Sequence, residues 1–282
     1  KISTIADTSK ASLSQISSDI TELSMETGIF ADSLEEAAYS ALSASVDTAN
    51  AVEFTATATK LAGGGFTSSA TAVDVLTTAL NAYKLEASQA ARISDMLITT
   101  QNLGKTTVDE LAASVGKVIP LASAYGVEMD NLSAAYAELT KGGIATAEAG
   151  TYLKSMLNEL GDSGSTVSAV LLEQTGYSFA QLMDQGHSLG DVMAVLGESV
   201  NGNAGAFNEL WSSSEAGIGA LSLYNAGAEQ FNTTLAAMQN SIGATDAAYE
   251  TMTDTTAHAQ EELSNAANNL KISIGQNINP LV

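Results

Sequence analysis

The stretch Gly186-His187-Ser188-Leu189-Gly190 matches G-x-S-x-G, the pattern that sets a nucleophilic serine on a sharp turn between a strand and a helix. Such a serine attacks an acyl carbon, and its acid and histidine partners follow it in the chain. Asp246 and His258 stand in that order. The surroundings do not support the chemistry. Phe179, Leu182 and Met183 precede the stretch at helical spacing, where a strand is required, and no HGGG-type segment supplies an oxyanion hole. A five-residue pattern with two free positions also arises easily by chance. The stretch therefore reads as a glycine-flanked turn between helices, and a serine esterase is the weakest of the functional readings.

Two further stretches fail on order or spacing. Gly161-Asp162-Ser163-Gly164 resembles the nucleophile segment of chymotrypsin-like proteases, whose histidine and aspartate lie upstream of the serine; here both His187 and His258 lie downstream. Gly104-Lys105-Thr106 resembles the end of a phosphate-binding loop. That loop needs a glycine five positions earlier, where Thr99 stands, and Ile93, Met96, Leu97 and Thr100 read as helix rather than strand. The two histidines are too far apart for a helical metal pair, and no D-x-D-x-D-G calcium loop occurs. Glu35-Glu36 and Glu261-Glu262 read as solvated helix faces. Trp211, the single tryptophan, reads as a packing anchor. The expectation is a chain with no catalytic residue, no cofactor-binding residue, no metal ligand and no cofactor.

Ten Lys and Arg against 32 Asp and Glu leave a net charge of −22 over 282 residues. Such a chain repels nucleic-acid phosphates and anionic membrane surfaces, so no direct nucleic-acid binding is expected. The absence of cysteine rules out disulfides and removes the thiolate ligands on which structural zinc sites are built. No signal peptide shows in Lys1–Lys10, and no uncharged apolar run reaches the roughly 18 residues of a membrane helix. The first residue is Lys1 rather than Met, and the end at Pro280-Leu281-Val282 is abrupt, so the reading is of a piece of a longer protein.

The elements that must position these residues are helical. Leu13, Ile16, Ile20 and Leu23 recur at spacings of three and four, one stripe of a helix that stops at Gly28. Leu34, Ala38, Leu42, Ser45, Ala49 and Val52 extend a second stripe. The expected stop is Gly63-Gly64-Gly65, glycine being suited to a left-handed helix terminus. Tyr224, Ala228, Phe231, Leu235, Met238 and Ile242 form a third run, and Leu263, Ala267, Leu270, Ile274 and Ile278 a fourth. Between them lie short helices punctuated by Gly104, Gly116, Gly126, Gly142, Gly143, Gly161, Gly176, Gly186 and Gly197. Thr107 with Glu110 fits a capping box, Asp130 and Asn131 open the helix carrying Leu132, Tyr136 and Leu139, and Asp191 stands ahead of Val192 and Val195. Strand-type alternation is absent.

The fold class predicted is therefore all-α, long amphipathic helices flanking a compact bundle of short helices. Three parts are expected: long, coiled-coil-like helices over 1–66, a compact helical core over 67–202, and long helices again over 203–282. The flanking stripes either pack on the compact middle or pair between copies of the chain, since an amphipathic helix serves both.

The middle of the chain also resembles the core region of bacteriophage tail tape measure proteins, also called minor tail proteins. The matching series runs through Leu80-Asn81-Ala82-Tyr83, Ala91 to Leu97, Gly104 to Ala112, Gly116 to Pro120, Gly126-Val127 and Gly143-Ile144. Glu173 to Ser178, Ser188 to Val192 and, near the end, Gly275 to Leu281 extend it. It is firmest from Val52 to Gly202, and the ordered series carries it rather than any one motif. The resemblance implies a structural role: scaffolding of the tail tube, setting of tail length, and release during DNA ejection. The partners implied are further copies of the chain, the tail tube protein, tail tip or baseplate proteins and tail assembly chaperones. The location implied is the tube lumen of the virion, or the host cytoplasm during assembly. An alternative is a non-enzymatic helical binding module of a phage-tail-like or secreted particle.

Overall fold

Alanine and leucine at three-and-four spacing, with only two prolines in the sequence, leave the backbone little alternative to helix. The computed structural model describes residues 1–254. Among them the chain forms sixteen α-helices and no strand, and the all-α class is confirmed. The fourth apolar run, His258, Glu261-Glu262 and the closing segment Gly275 to Leu281 lie outside the described residues.

In chain order the helices are α1 (Leu13–Thr27), α2 (Ala31–Ser43), α3 (Ala51–Gly64), α4 (Ser69–Tyr83), α5 (Ala90–Leu103), α6 (Val108–Val115), α7 (Ile119–Ala124) and α8 (Met129–Lys141). They continue with α9 (Thr146–Gly161), α10 (Thr166–Thr175), α11 (Phe179–Asp184), α12 (Leu189–Ser199), α13 (Ala204–Glu209), α14 (Ser214–Ala226), α15 (Ala228–Gln239) and α16 (Ala244–Thr253). They form two compact units. Among the described residues the first takes Lys1–Leu80, Glu86–Ser94 and 245–254; the second takes Asn81–Leu85 and Asp95–Ala244.

In the first unit the stripe of α1 is consumed inside the chain. Ile16, Ile20 and Leu23 close on Leu34 and Ala38 of α2, with Val52 and Ala56 of α3 against them. Each buried Ile or Leu side chain among them contributes about 1.5–3 kcal/mol. Ser12 caps α1 by accepting from Gln15 N, and Gly28 ends it in the left-handed conformation (φ +70). The sequence predicts one helix through Leu42, Ser45 and Ala49; the structure breaks it. Ser45 has φ +73, and Asp47 accepts from Ala49 N, opening a short 3₁₀ turn, Thr48–Asn50, before α3. An aspartate that binds local backbone N–H groups competes with the helix. The expected glycine terminus also differs: Gly65 keeps φ −98, and Phe66 takes the positive φ of +56.

In the second unit α8 is the central element. Eleven of its thirteen residues are buried, the signature of a helix enclosed on all sides. α15 lies against α8, α14 runs along α9, and α12 packs against α10, α14 and α15. The third apolar run, read as one helix from Tyr224 to Ile242, is two. Gly227 adopts φ +87 and ψ 144, a conformation open in practice only to glycine, and there α14 ends and α15 begins. Ile242 lies beyond the helix and is exposed. The heptad spacing survives the break because both helices face α12. Tyr224 covers Gly197, and Phe231 covers Gly190. Two aromatic residues seven apart fill the hollows left by two glycines seven apart. The stripe is therefore an internal one, with Phe231 and Met238 buried.

Candidate functional site

The turn that resembles a nucleophile elbow is built entirely from helix ends. His187 N donates to Leu182 O, closing α11, and Gly186 takes φ +85 to reverse the chain. Ser188 is the N-cap of α12: its Oγ accepts from Asp191 N at 3.0 Å, and Asp191 Oδ2 accepts from Ser188 N at 3.0 Å. This is a reciprocal capping box. Ser188 is only 2% exposed. Gly190 is small because Phe231 presses on α12 there; a Cβ at 190 would stand 2.7 Å from Phe231 Cβ. Every position of the motif thus has a folding reason. Of the two residues that would complete a triad, Asp246 pairs with Lys60 at 2.9 Å, and His258 lies outside the described residues. Ser188→Ala is expected to destabilise the second unit by about 1 kcal/mol, the usual cost of losing an N-cap. Neither form should hydrolyse short activated esters. Ester hydrolysis that disappears in the variant would restore the nucleophile reading.

The other two stretches are also turns. Asp162 Oδ1 accepts from Gly164 N at 2.9 Å beyond the end of α9. Lys105 N donates to Thr140 Oγ1 at 3.3 Å, and the Thr106 hydroxyl lies 2.7 Å from that of Thr146. The capping box read at Thr107 and Glu110 is present. Trp211 is a packing anchor, 94% buried beside Phe207 at a ring separation of 6.3 Å, and its indole N–H has no partner. Among the described residues no group of His, Asp or Glu could hold a metal ion, and no helix is long and apolar enough to cross a membrane.

The polar groups of the second unit instead fasten helices to one another. Buried Glu138 of α8 accepts from the Thr234 hydroxyl and, at 3.2 Å, from Gln230 Nε2, both on α15. Asp130 of α8 accepts from Gln239 Nε2 at 3.0 Å, and Asp191 of α12 accepts from Asn232 Nδ2 at 2.9 Å. Gly243 N donates to Asp95 Oδ2 at 2.9 Å. Helix α15 is thus held along its length by carboxylates from two other helices, α8 and α12, and the turn after it by Asp95 of α5. Hydrogen bonds of this kind, with one charged partner, are stronger than neutral ones. Sequence reasoning missed them, because an acid on a helix face looks the same whether it is solvated or bonded across an interface. The one legible signal was the density of Gln, Asn and Thr on α15.

Glu159 of α9 makes the matching contact at the start of α14. Its carboxylate accepts from Ser212 N at 2.7 Å and Ser213 N at 2.9 Å, and Ser213 itself caps α14. A carboxylate at a helix N-terminus satisfies open backbone N–H groups and meets the positive end of the dipole. Beside it lies a cleft of about 490 Å³ with a largely polar lining that includes Ser155, Asn158, Asp162 and Glu209. Burial pushes the Glu159 carboxyl up, but the N–H groups and hydroxyls of Ser212 and Ser213 outweigh this and hold it below the usual range. Asp191 behaves alike: desolvation raises it, while Ser188, Asn232 and nearby His187 bring it down. A carboxyl lowered in the folded state adds stability above its unfolded value and loses it as pH falls through the folded value. The window lies below about pH 4.3 for Glu159 and about pH 3.9 for Asp191. Urea unfolding between pH 5 and pH 3 should therefore show a steep loss of stability that is shallower in Glu159→Gln. An identical slope in the variant would mean that this contact does not contribute.

What the geometry defines is a helical chain whose apparent chemical motifs are caps, turns and close helix crossings. The chain belongs to the family described as phage-related minor tail protein, whose pattern matches residues 17–212. It is 34% identical to a probable tape measure protein of Clostridium phage phiCD119, over 97% of this chain and 30% of that protein. It is 24% identical to the tape measure protein of Pneumococcus phage Dp-1, over 73% of this chain and 18% of that protein. The chain thus spans less than a third of the length of these relatives. No solved structure matches it.

Proposed function

We propose that this chain is a core segment of a tail tape measure and that its role is structural rather than enzymatic. In this reading it scaffolds polymerisation of the tail tube, contributes to tail length, and leaves the tube when DNA is ejected. Its partners are further copies of itself, the tail tube protein, tail tip or baseplate proteins and tail assembly chaperones. Its place is the tube lumen of the virion, after assembly in the host cytoplasm. The observation that carries the reading is the likeness along almost the whole chain to a protein named as a probable tape measure. The net charge of −22 supports a protein that shares a narrow path with DNA without binding it. The capping role of Ser188 supports the absence of acyl chemistry at that turn. Tail length is the test: a phage whose tape measure carries this stretch twice should make longer tails.

A further inference from the structure

One end of the first unit gathers three helix C-termini. Tyr249 Oη of α16 donates to Thr27 O, the last residue of α1, at 2.9 Å. The Tyr249 ring covers Gly63 at the end of α3, and Ala248 covers Gly64. Lys60 meets Asp246 and Gly63 meets Tyr249, so α3 and α16 run parallel with an offset of 186 residues.

Around this joint stand four large apolar side chains that the fold leaves in solvent. Met25 is 55% exposed, Phe30 52%, Phe66 63% and Met252 38%. Each lies within three residues in sequence of Thr27, Gly63 or Tyr249. Single exposed apolar residues are ordinary, but a group at one place marks an interaction surface.

The electrostatics of this end are one-sided. Glu22 and Glu26 sit in the last turns of α1, and Glu250 and Asp254 at the end of α16, all exposed, with exposed Asp32 beginning α2 beyond Phe30. Carboxylates at helix C-termini oppose the dipole, which already places about half a negative charge on the terminal carbonyls. No Lys or Arg occurs in 11–59, 61–83 or 155–254. The nearest cation in sequence, Lys60, is held by Asp246.

We propose that this end is a docking face for a basic amphipathic helix of a partner protein. The partner's apolar residues would cover Met25, Phe30, Phe66 and Met252, and its Lys or Arg side chains would meet the carboxylates and the open carbonyl ends. Helix-in-groove recognition of this kind uses adaptable methionines as its apolar bed. Charge selects this occupant over the alternatives. A second copy presents the same acidic end on a chain of net charge −22, and the chain's own residues 255–282 contain two Glu and one Lys.

The test uses the whole chain and a fluorescent Leu/Lys amphipathic peptide of about 18 residues, five helical turns. Fluorescence anisotropy is read at physiological ionic strength against an equally charged Lys/Ser peptide. The Leu/Lys peptide should bind more tightly. The double variant Phe30→Ser with Phe66→Ser should weaken it about tenfold or more, since two large apolar contacts are lost. Glu26→Gln with Glu250→Gln should weaken binding and flatten its salt dependence. Both double variants alter exposed side chains, so their circular dichroism should match the parent. Equal binding of the Lys/Ser peptide, or an unchanged Kd in the phenylalanine variant, would overturn the proposal. Self-association of the parent that the phenylalanine variant abolishes would overturn it in favour of a second copy. Binding that appears only in Leu270→Ser with Ile274→Ser would overturn it in favour of the chain's own end.

Discussion

Phe231→Ala is expected to cost the second unit about 3–5 kcal/mol, the usual loss for removing a fully buried phenylalanine. Phe231 has no exposure and presses α15 onto α12 at Gly190. Its removal leaves a cavity that the rigid helix crossing cannot close, because the carboxylates of Asp130, Glu138 and Asp191 still fix α15 in place. Urea denaturation followed by circular dichroism is the measurement. The transition should be assigned to the second unit, since a chain of two units need not unfold in one step. The size of the loss also decides where α15 faces. A stripe turned toward another copy of the chain would leave the isolated fold nearly unaffected, so a cost under about 1 kcal/mol, the range of surface substitutions, would contradict the internal packing.

Gly190→Leu tests the same crossing from its other side. The side chain would begin 2.7 Å from Phe231 Cβ, an atom fixed by the α15 backbone rather than the free end of a flexible group. Either α15 moves away and its carboxylate contacts break, or the helix does not form there. The expected cost is about 3 kcal/mol, the upper end of the range for overpacking. Gly190→Ala should cost less, because alanine returns roughly 0.5–1 kcal/mol of helix propensity to an interior position. Combined with Phe231→Ala, the alanine variant should show a smaller loss than the sum of the two, since each relieves part of the other's conflict. Strict additivity would show that the two residues do not meet.

The contrast between what the sequence shows and what the fold does is clearest at these glycines. Gly186 and Gly176 end helices in the left-handed conformation, and composition alone suggests punctuation there. Gly190 and Gly197 look the same in sequence but lie inside α12, where they admit Phe231 and Tyr224. A single chain read residue by residue cannot tell a terminus from a close approach; the clue was the matched spacing of seven in both pairs. The all-helical class was legible because three-and-four spacing is a local signal. The capping box at Thr107 was legible because Thr and Glu need only be three apart.

Helix breaks at Ser45 and Gly227 were not legible, for a physical reason. Apolar periodicity reports which face is buried, not whether the backbone is continuous. Where α14 and α15 bury the same side against one helix, the stripe continues across the bend. The bonds of Glu138, Asp130 and Asp191 to α15 were hidden for a related reason: partners 41 to 109 residues apart leave no local trace. Of the two readings of the flanking stripes, pairing between copies is weakened for α1 and α15, whose apolar faces are consumed within the chain. The exposed apolar residues lie elsewhere, on Met25, Phe30, Phe66 and Met252.

The central claim, that this chain is a core segment of a tail tape measure, is tested most directly by electron microscopy of tail lengths. The comparison is between phage particles carrying one copy and two tandem copies of the stretch within the same protein. A ruler whose 282 added residues were drawn out as continuous helix would lengthen the tail by about 420 Å at 1.5 Å per residue. The antiparallel course of α12 against α14 and α15 folds part of that length back, so retention of the compact units gives a smaller but uniform increment. The account predicts a single, longer length class, with an increment between zero and about 420 Å. Intact tails of unchanged length would contradict it.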